Sequence, residues 1–131
     1  MNFPNNLKYS KTHEWILKQD DNIALVGITD YAQHELGDIV FVEFEPAGEN
    51  KSKGDTICNL ESVKAVASVY MPVSGKIKEI NPKLLEDEDF ALVNNSPYEN
   101  GWLIQIVMSN SDELSELMDS TTYQQFVEEA K

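Results

Sequence analysis

Leu60-Glu61-Ser62-Val63-Lys64-Ala65-Val66-Ala67-Ser68 sets one lysine at the turn between two strand-like runs, and the chain is read outward from that lysine. Tight reversals normally carry Gly, Asn, Asp or Pro, whose backbone preferences suit them. Lys64 is flanked instead by Val63, Ala65, Val66 and Ala67, small apolar residues where water favours polar ones. Ordinary turn chemistry does not account for this choice. A lysine ammonium has a reference pKa of about 10.4 and stays protonated near neutrality, so unaided it is a poor nucleophile. It is a good covalent anchor, because its four-carbon stem is flexible and amide formation removes the charge; group-carrying cofactors are mounted that way. Most surface lysines are only solvated charge, and the apolar neighbourhood is what separates Lys64 from them.

Around this hairpin the chain reads as mainly β. Thr56 to Ser62 is the strand that delivers the lysine, and Ala67 to Met71 runs back. Before it, Lys8 to Ser10 begins a first strand, and His13 to Lys18 pairs with Asn22 to Ile28 across Gln19-Asp20-Asp21. Thr29-Asp30 with Gln33 resembles a helix cap, and Gly37 can end that helix in a left-handed conformation, giving a short helix over 30–36. Ile39 to Phe44 is apolar on both alternating faces and reads as core. Pro46 to Asn50 and Lys51 to Asp55 read as two turns, and Met1 to Leu7 as a loosely held arm.

After the hairpin, Pro72 belongs at a strand end, and Gly75 to Ile80 is a strand broken by Asn81-Pro82. Glu86-Asp87-Glu88-Asp89 reads as a solvated turn, Phe90 to Val93 as a return to the core, 94–101 as turn-rich, and Trp102 to Val107 as a final strand. The tail is helical by pattern: Leu114, Leu117 and Met118 recur at helical spacing behind Asp112 and Glu113, and Ser120 caps a helix carrying Tyr123, Phe126, Val127 and Ala130 on one face. Gly37 to Pro46 and Gly75 to Pro82 share an outline of glycine, strand and proline turn, a weak hint of two-fold internal symmetry.

Composition bounds the function. At 131 residues the chain is expected to form one domain, 1–131, with an amino-terminal arm and a helical tail. Its 23 acidic and 10 basic residues give a formal charge of −13, which disfavours nucleic acid and anionic membrane surfaces and suits basic patches on protein partners. A single cysteine, Cys58, makes no internal disulfide and fits burial as a small hydrophobe in a reducing compartment. No apolar run approaches the roughly 20 residues of a membrane span, and there is no secretory signal. A bacterial cytoplasmic protein is expected; a mature mitochondrial form would read the same. His13 and His34 are the only histidines and lie at no ligand spacing with Cys58, so no metal site is expected. No phosphate-binding glycine loop is present, and no local motif suggests a catalytic triad. A non-enzymatic role is favoured.

The ordered blocks Glu61-Ser62-Val63-Lys64-Ala65, His13-Glu14-Trp15, 26–33, 36–43, Pro72-Val73-Ser74-Gly75 and 96–104 together resemble the glycine cleavage system H proteins over nearly the whole chain. The resemblance implies a barrel-sandwich hybrid like lipoyl and biotinyl domains, with pseudo-two-fold sheet halves. It implies lipoic acid bound covalently as lipoyl-lysine on Lys64, with Glu61 part of what the modifying enzyme, a lipoyl ligase or lipoyl/octanoyl transferase, reads, and with the small Val63 and Ala65 at the turn letting the arm enter a narrow cleft. The implied task is to shuttle the aminomethyl group of glycine from the pyridoxal-phosphate-dependent glycine decarboxylase (P protein) to the folate-dependent aminomethyltransferase (T protein). Dihydrolipoyl dehydrogenase (L protein) then reoxidises the arm. The resemblance further implies a groove for the loaded arm at Thr12, Glu14, Glu35 and Ser68. Glu35 and Ser68 depart from the family pattern, which often has a histidine and an acid there. An H-like protein that relays lipoyl groups to other enzymes is the alternative. An acyl-carrying lipoyl domain normally has Asp before its lysine, and a biotin carrier has Met on both sides; Val63 and Ala65 fit neither.

Overall fold

The computed structural model describes residues 1–130. In chain order the elements are β1 (Lys8–Tyr9), β2 (Glu14–Lys18), β3 (Ile23–Ile28), α1 (Asp30–Leu36), β4 (Ile39–Phe44), β5 (Asn50–Lys51), β6 (Thr56–Ser62), β7 (Val66–Tyr70), β8 (Gly75–Ile80), α2 (Pro82–Leu85), α3 (Ala91–Asn95), β9 (Ile104–Met108), a 3-10 turn over Ser111–Glu116, and α4 (Ser120–Ala130). Strands β1-β2-β3-β9-β8-β5 form a six-stranded sheet and β4-β6-β7 a three-stranded one, with every pairing antiparallel. The two sheets enclose one core, the open barrel-sandwich expected from the sequence.

Alternation along each strand decides which face is covered. On β2, Ile16 enters the core between the sheets, while Trp15 faces a second apolar cluster with Leu7, Tyr9, Tyr123 and Val127. The indole stays dry because its Nε1 donates to the Pro97 carbonyl at 2.9 Å. Trp15 also lies opposite Gly27 in register, and a Cβ there would come within 2.7 Å of the ring, so glycine is required by the close approach. Both faces of β2 are therefore buried, Glu14 included, where simple alternation predicts one wet face.

Several expectations change. Residues 1–7 are tied down: Leu7 is buried, Phe3 packs edge-on against Tyr123, and the Asn2 amide donates to the Asp30 carboxylate at 2.9 Å. On β4, a register shift between Ile39 and Phe41 turns Val40 and Phe41 outward, so only Ile39 and Val42 are core. Asn50 and Lys51, expected in turns, pair with Lys76 and Gly75. Asn81-Pro82 breaks β8 by starting α2, with the Asn81 side chain accepting from the Lys83 amide, and Asn94-Asn95 close α3. At α4 the cap is Asp119 rather than Ser120, its carboxylate accepting from the Thr122 amide at 2.8 Å; that bond holds Asp119 below its ordinary pKa. Ala130, placed on the buried face of α4 by pattern, is exposed. Gly37 ends α1 at φ +80° and ψ −166°, an extended positive-φ conformation open essentially to glycine, instead of the left-handed helical one.

Gly75 opens β8 opposite Met108 of β9, and a Cβ there would sit 2.5 Å from the Val107 carbonyl oxygen. Backbone cannot step aside as a side chain tip can. Gly75→Ala should lower stability by about 2 kcal/mol in a urea titration; an unchanged midpoint would show that the β8–β9 contact is slack.

Candidate functional site

Lys64 sits at the tip of the β6–β7 hairpin, exposed, and its ammonium makes no ion pair among the described residues. The turn works without glycine because Ser62 does the turning. Its hydroxyl oxygen accepts from the amides of Lys64 (3.3 Å) and Ala65 (3.0 Å), while its own amide donates to the Ala65 carbonyl at 2.8 Å. The neighbours of Lys64 are thus free to be apolar, and Val63 and Val66 are 68 % and 69 % exposed.

The tip is buttressed from below. The Val63 amide donates to the Asp38 carbonyl at 3.1 Å, joining the hairpin to the α1–β4 connection. Asn94 clamps that connection in turn: its Nδ2 donates to the Gly37 carbonyl (2.9 Å) and Gln33 Oε1 (3.1 Å), and its Oδ1 accepts from the Ile39 amide (2.8 Å). A Cβ on Gly37 would lie 3.5 Å from Lys64 Cε, so the lysine stem passes over the carboxyl end of α1.

That end of α1 forms one wall of a cleft of about 390 Å³, and Thr12, Glu14, Glu35 and Ser68 all line it. The four residues expected to form a groove are therefore brought together; Glu61, Val63, Lys64 and Ala65 stand at the hairpin instead. Glu35 and Thr12 are exposed at the rim. Ser68, also exposed, donates to Asn59 Oδ1 across the hairpin at 2.7 Å, so its hydroxyl hydrogen is engaged. Glu14 is only 1 % exposed. Its Oε1 accepts from Ser10 Oγ (2.7 Å) and Thr12 Oγ1, and its Oε2 from the Tyr70 amide (3.3 Å), which joins the six-stranded sheet to β7. Burial raises its pKa above the ordinary carboxylate range, with the two hydroxyl bonds opposing the rise.

His13 also faces this cleft, at φ +73°, an uncommon conformation for a residue with a Cβ. Its Nδ1 lies 2.8 Å from the Tyr123 hydroxyl, which lies 2.7 Å from Thr29 Oγ1, so the cleft wall is fastened to α4 and the α1 cap. Burial lowers the His13 pKa and the Glu35 carboxylate partly restores it. Sequence reading does not single out His13, Asn94 or Tyr123 for these roles, since their partners are distant in the chain. Ser62 carried a usable signal, a serine two residues before the tip. No group of His, Cys, Asp and Glu able to hold a metal occurs among the described residues. Cys58 is fully buried, and burial pushes its thiol pKa up, leaving it unreactive.

The family described as Glycine cleavage H-protein matches residues 7–130. This chain belongs to that family. The glycine cleavage system H protein of Halothermothrix orenii is 50 % identical over 131 residues, covering 100 % of both chains. That of Staphylococcus epidermidis is 46 % identical over 129 residues, covering 98 % of this chain and 100 % of the relative. The crystal structure of a glycine cleavage system H protein from Mycobacterium marinum has a TM-score of 0.80 at 34 % identity, covering 92 % of this chain and 94 % of that one. Family membership makes the chain a lipoyl carrier of the glycine cleavage system, a carrier subunit and not a catalyst. Its relatives named here are bacterial, and no helix among the described residues is long and apolar enough to cross a membrane.

The Glu14 shift fixes the sign of a pH effect. Because folding raises this carboxyl's pKa, the folded state binds its proton more tightly than the unfolded state does, and stability falls as pH rises from the ordinary carboxylate range to the folded pKa. Measured by thermal melts, the stability of Glu14→Gln relative to the parent should therefore grow across that window and then level off; a pH-independent difference would deny the shift.

Proposed function

We propose that Lys64 carries lipoic acid in amide linkage and that the whole chain, 1–131, acts as one carrier unit in the bacterial cytoplasm. It takes the aminomethyl group of glycine from the decarboxylase to the folate-dependent aminomethyltransferase, and dihydrolipoyl dehydrogenase reoxidises it. The observation that carries this reading is a lysine with no ion pair among the described residues, held at an exposed, serine-built hairpin tip beside two exposed valines. Such an amine is open to an acylating enzyme, a lipoyl ligase or transferase, which would meet Glu61, Val63 and Ala65 around it. The lipoyl group, once bound, supplies a dithiolane whose sulfur accepts a one-carbon fragment.

Separate active sites cannot occupy one volume, so a tethered thiol is presented to each at high effective concentration. Between visits the cleft lined by Thr12, Glu14, Glu35 and Ser68 holds the arm's amine, with Glu14 and Glu35 supplying acceptor oxygens. The ordered hydroxyls of Ser10 and Thr12 keep the Glu14 carboxylate aimed.

Incubation with lipoyl ligase, lipoate and ATP should add one lipoyl mass to the intact protein and none to Lys64→Ala; addition to the variant would place the attachment elsewhere. For the cleft, Glu14→Gln keeps shape and removes charge, so the loaded carrier should release formaldehyde and ammonia about tenfold faster. An unchanged release rate would take Glu14 out of the cleft's chemistry.

A further inference from the structure

Apart from Met1, the exposed large apolar side chains gather on the hairpin and the segments flanking β4: Val63 and Val66 at the tip, Val40 (53 %) and Phe41 (40 %) on β4, and Leu85 (53 %) on α2. Phe41 and Val66 both lie opposite Glu61 in register, three residues before Lys64, so the outer side of the three-stranded sheet below the tip carries apolar side chains on either side of Glu61. There it opens into a hollow of about 560 Å³ lined by Phe41, Phe44, Leu85 and Phe90. Phe41 and Phe90 meet edge to face at 5.7 Å, a rigid aromatic wall.

The rim of this hollow is acidic. Glu43 and Glu88 line it and make no ion pair among the described residues, and Glu86, Asp87 and Asp89 are exposed beside it. Glu45, also on the rim, already pairs with Lys51 at 3.2 Å. The nearby Lys83 points its ammonium to Asn100, not to these acids. Glu88 adopts φ +53°, an uncommon conformation for a residue with a Cβ, in a loop pinned by the Asp87 and Asp89 amides donating to the Pro82 and Lys83 carbonyls. An apolar hollow whose rim carries Glu43 and Glu88, neither in an ion pair among the described residues, is electrostatically complementary to a basic segment bearing an apolar anchor.

We propose that this hollow is a docking surface for an enzyme that works on the Lys64 arm, and that the enzyme inserts one aliphatic or aromatic side chain from a segment flanked by lysine or arginine. The proposal rests on the reading of Lys64 as the arm's anchor. Position supports it, because an enzyme closing over the tip lies against the same sheet face. Charge selects against a second copy, since a two-fold contact would set the acidic rim against itself on a chain of formal charge −13.

Direct binding of the unlipoylated carrier to immobilised glycine decarboxylase, aminomethyltransferase, dihydrolipoyl dehydrogenase and lipoyl ligase from one source tests this. With at least one enzyme, Leu85→Gln should weaken binding about tenfold or more with the melting curve of the free variant unchanged, and Phe41→Gln should weaken it likewise. Glu88→Lys should slow association and flatten its salt dependence. Parental affinity for all four enzymes in all three variants overturns the proposal. So does a parent that sediments as a dimer and a Leu85→Gln variant that is monomeric. Because the assay uses unmodified protein, failure of Lys64 to accept lipoate would show in the mass measurement and not here.

Discussion

The hydroxyl of Ser62 accepts two backbone amides at the β6–β7 reversal, and the rest of the site depends on that pair of bonds. A turn built on glycine or asparagine would be closed by its own backbone preferences and would need no particular neighbours. A turn closed by a side chain from its first residue leaves the tip positions to be chosen for what they present. Here they present one ammonium among exposed valines. The Val63 amide and the Asn94 clamp then fix the tip against α1, so the lysine swings from a rigid base. Rigidity in the mount and freedom in the arm are both needed, since a moving base would dilute the arm among its targets.

Glu14 imposes the second constraint. A carboxyl that is 1 % exposed is costly unless its oxygens are satisfied, and three donors from the β1–β2 connection and β7 do this. Of these bonds the one from the Tyr70 amide crosses from one sheet to the other beside the cleft. Structure and chemistry share one residue here. The acid that staples the sandwich is the one facing the cleft, and the hydroxyls that aim it also limit the rise of its pKa.

The elements with clear punctuation were legible in the sequence: strands β6 and β8 and helix α1 lie where glycine, proline and cap residues put them. Lys64 was legible because apolar residues at a turn are unusual. Less was readable where a long-range partner decides the outcome. The exposure of Val40 and Phe41 follows from a register shift that no local pattern signals. The ordering of residues 1–7 depends on Tyr98, Tyr123 and Asp30, far along the chain. The burial of Glu14 requires a β7 amide 56 residues away. Ser62 was readable in principle, because side-chain-closed turns have a known chemistry.

The most direct test is a nitroxide attached at Lys64→Cys, since buried Cys58 will not take the label. A narrow, mobile spin spectrum is expected, together with paramagnetic broadening of the backbone signals of Glu35, Leu36 and Ser68. An immobilised spectrum, or broadening that spares the end of α1, would mean that position 64 neither faces water nor overlooks the cleft.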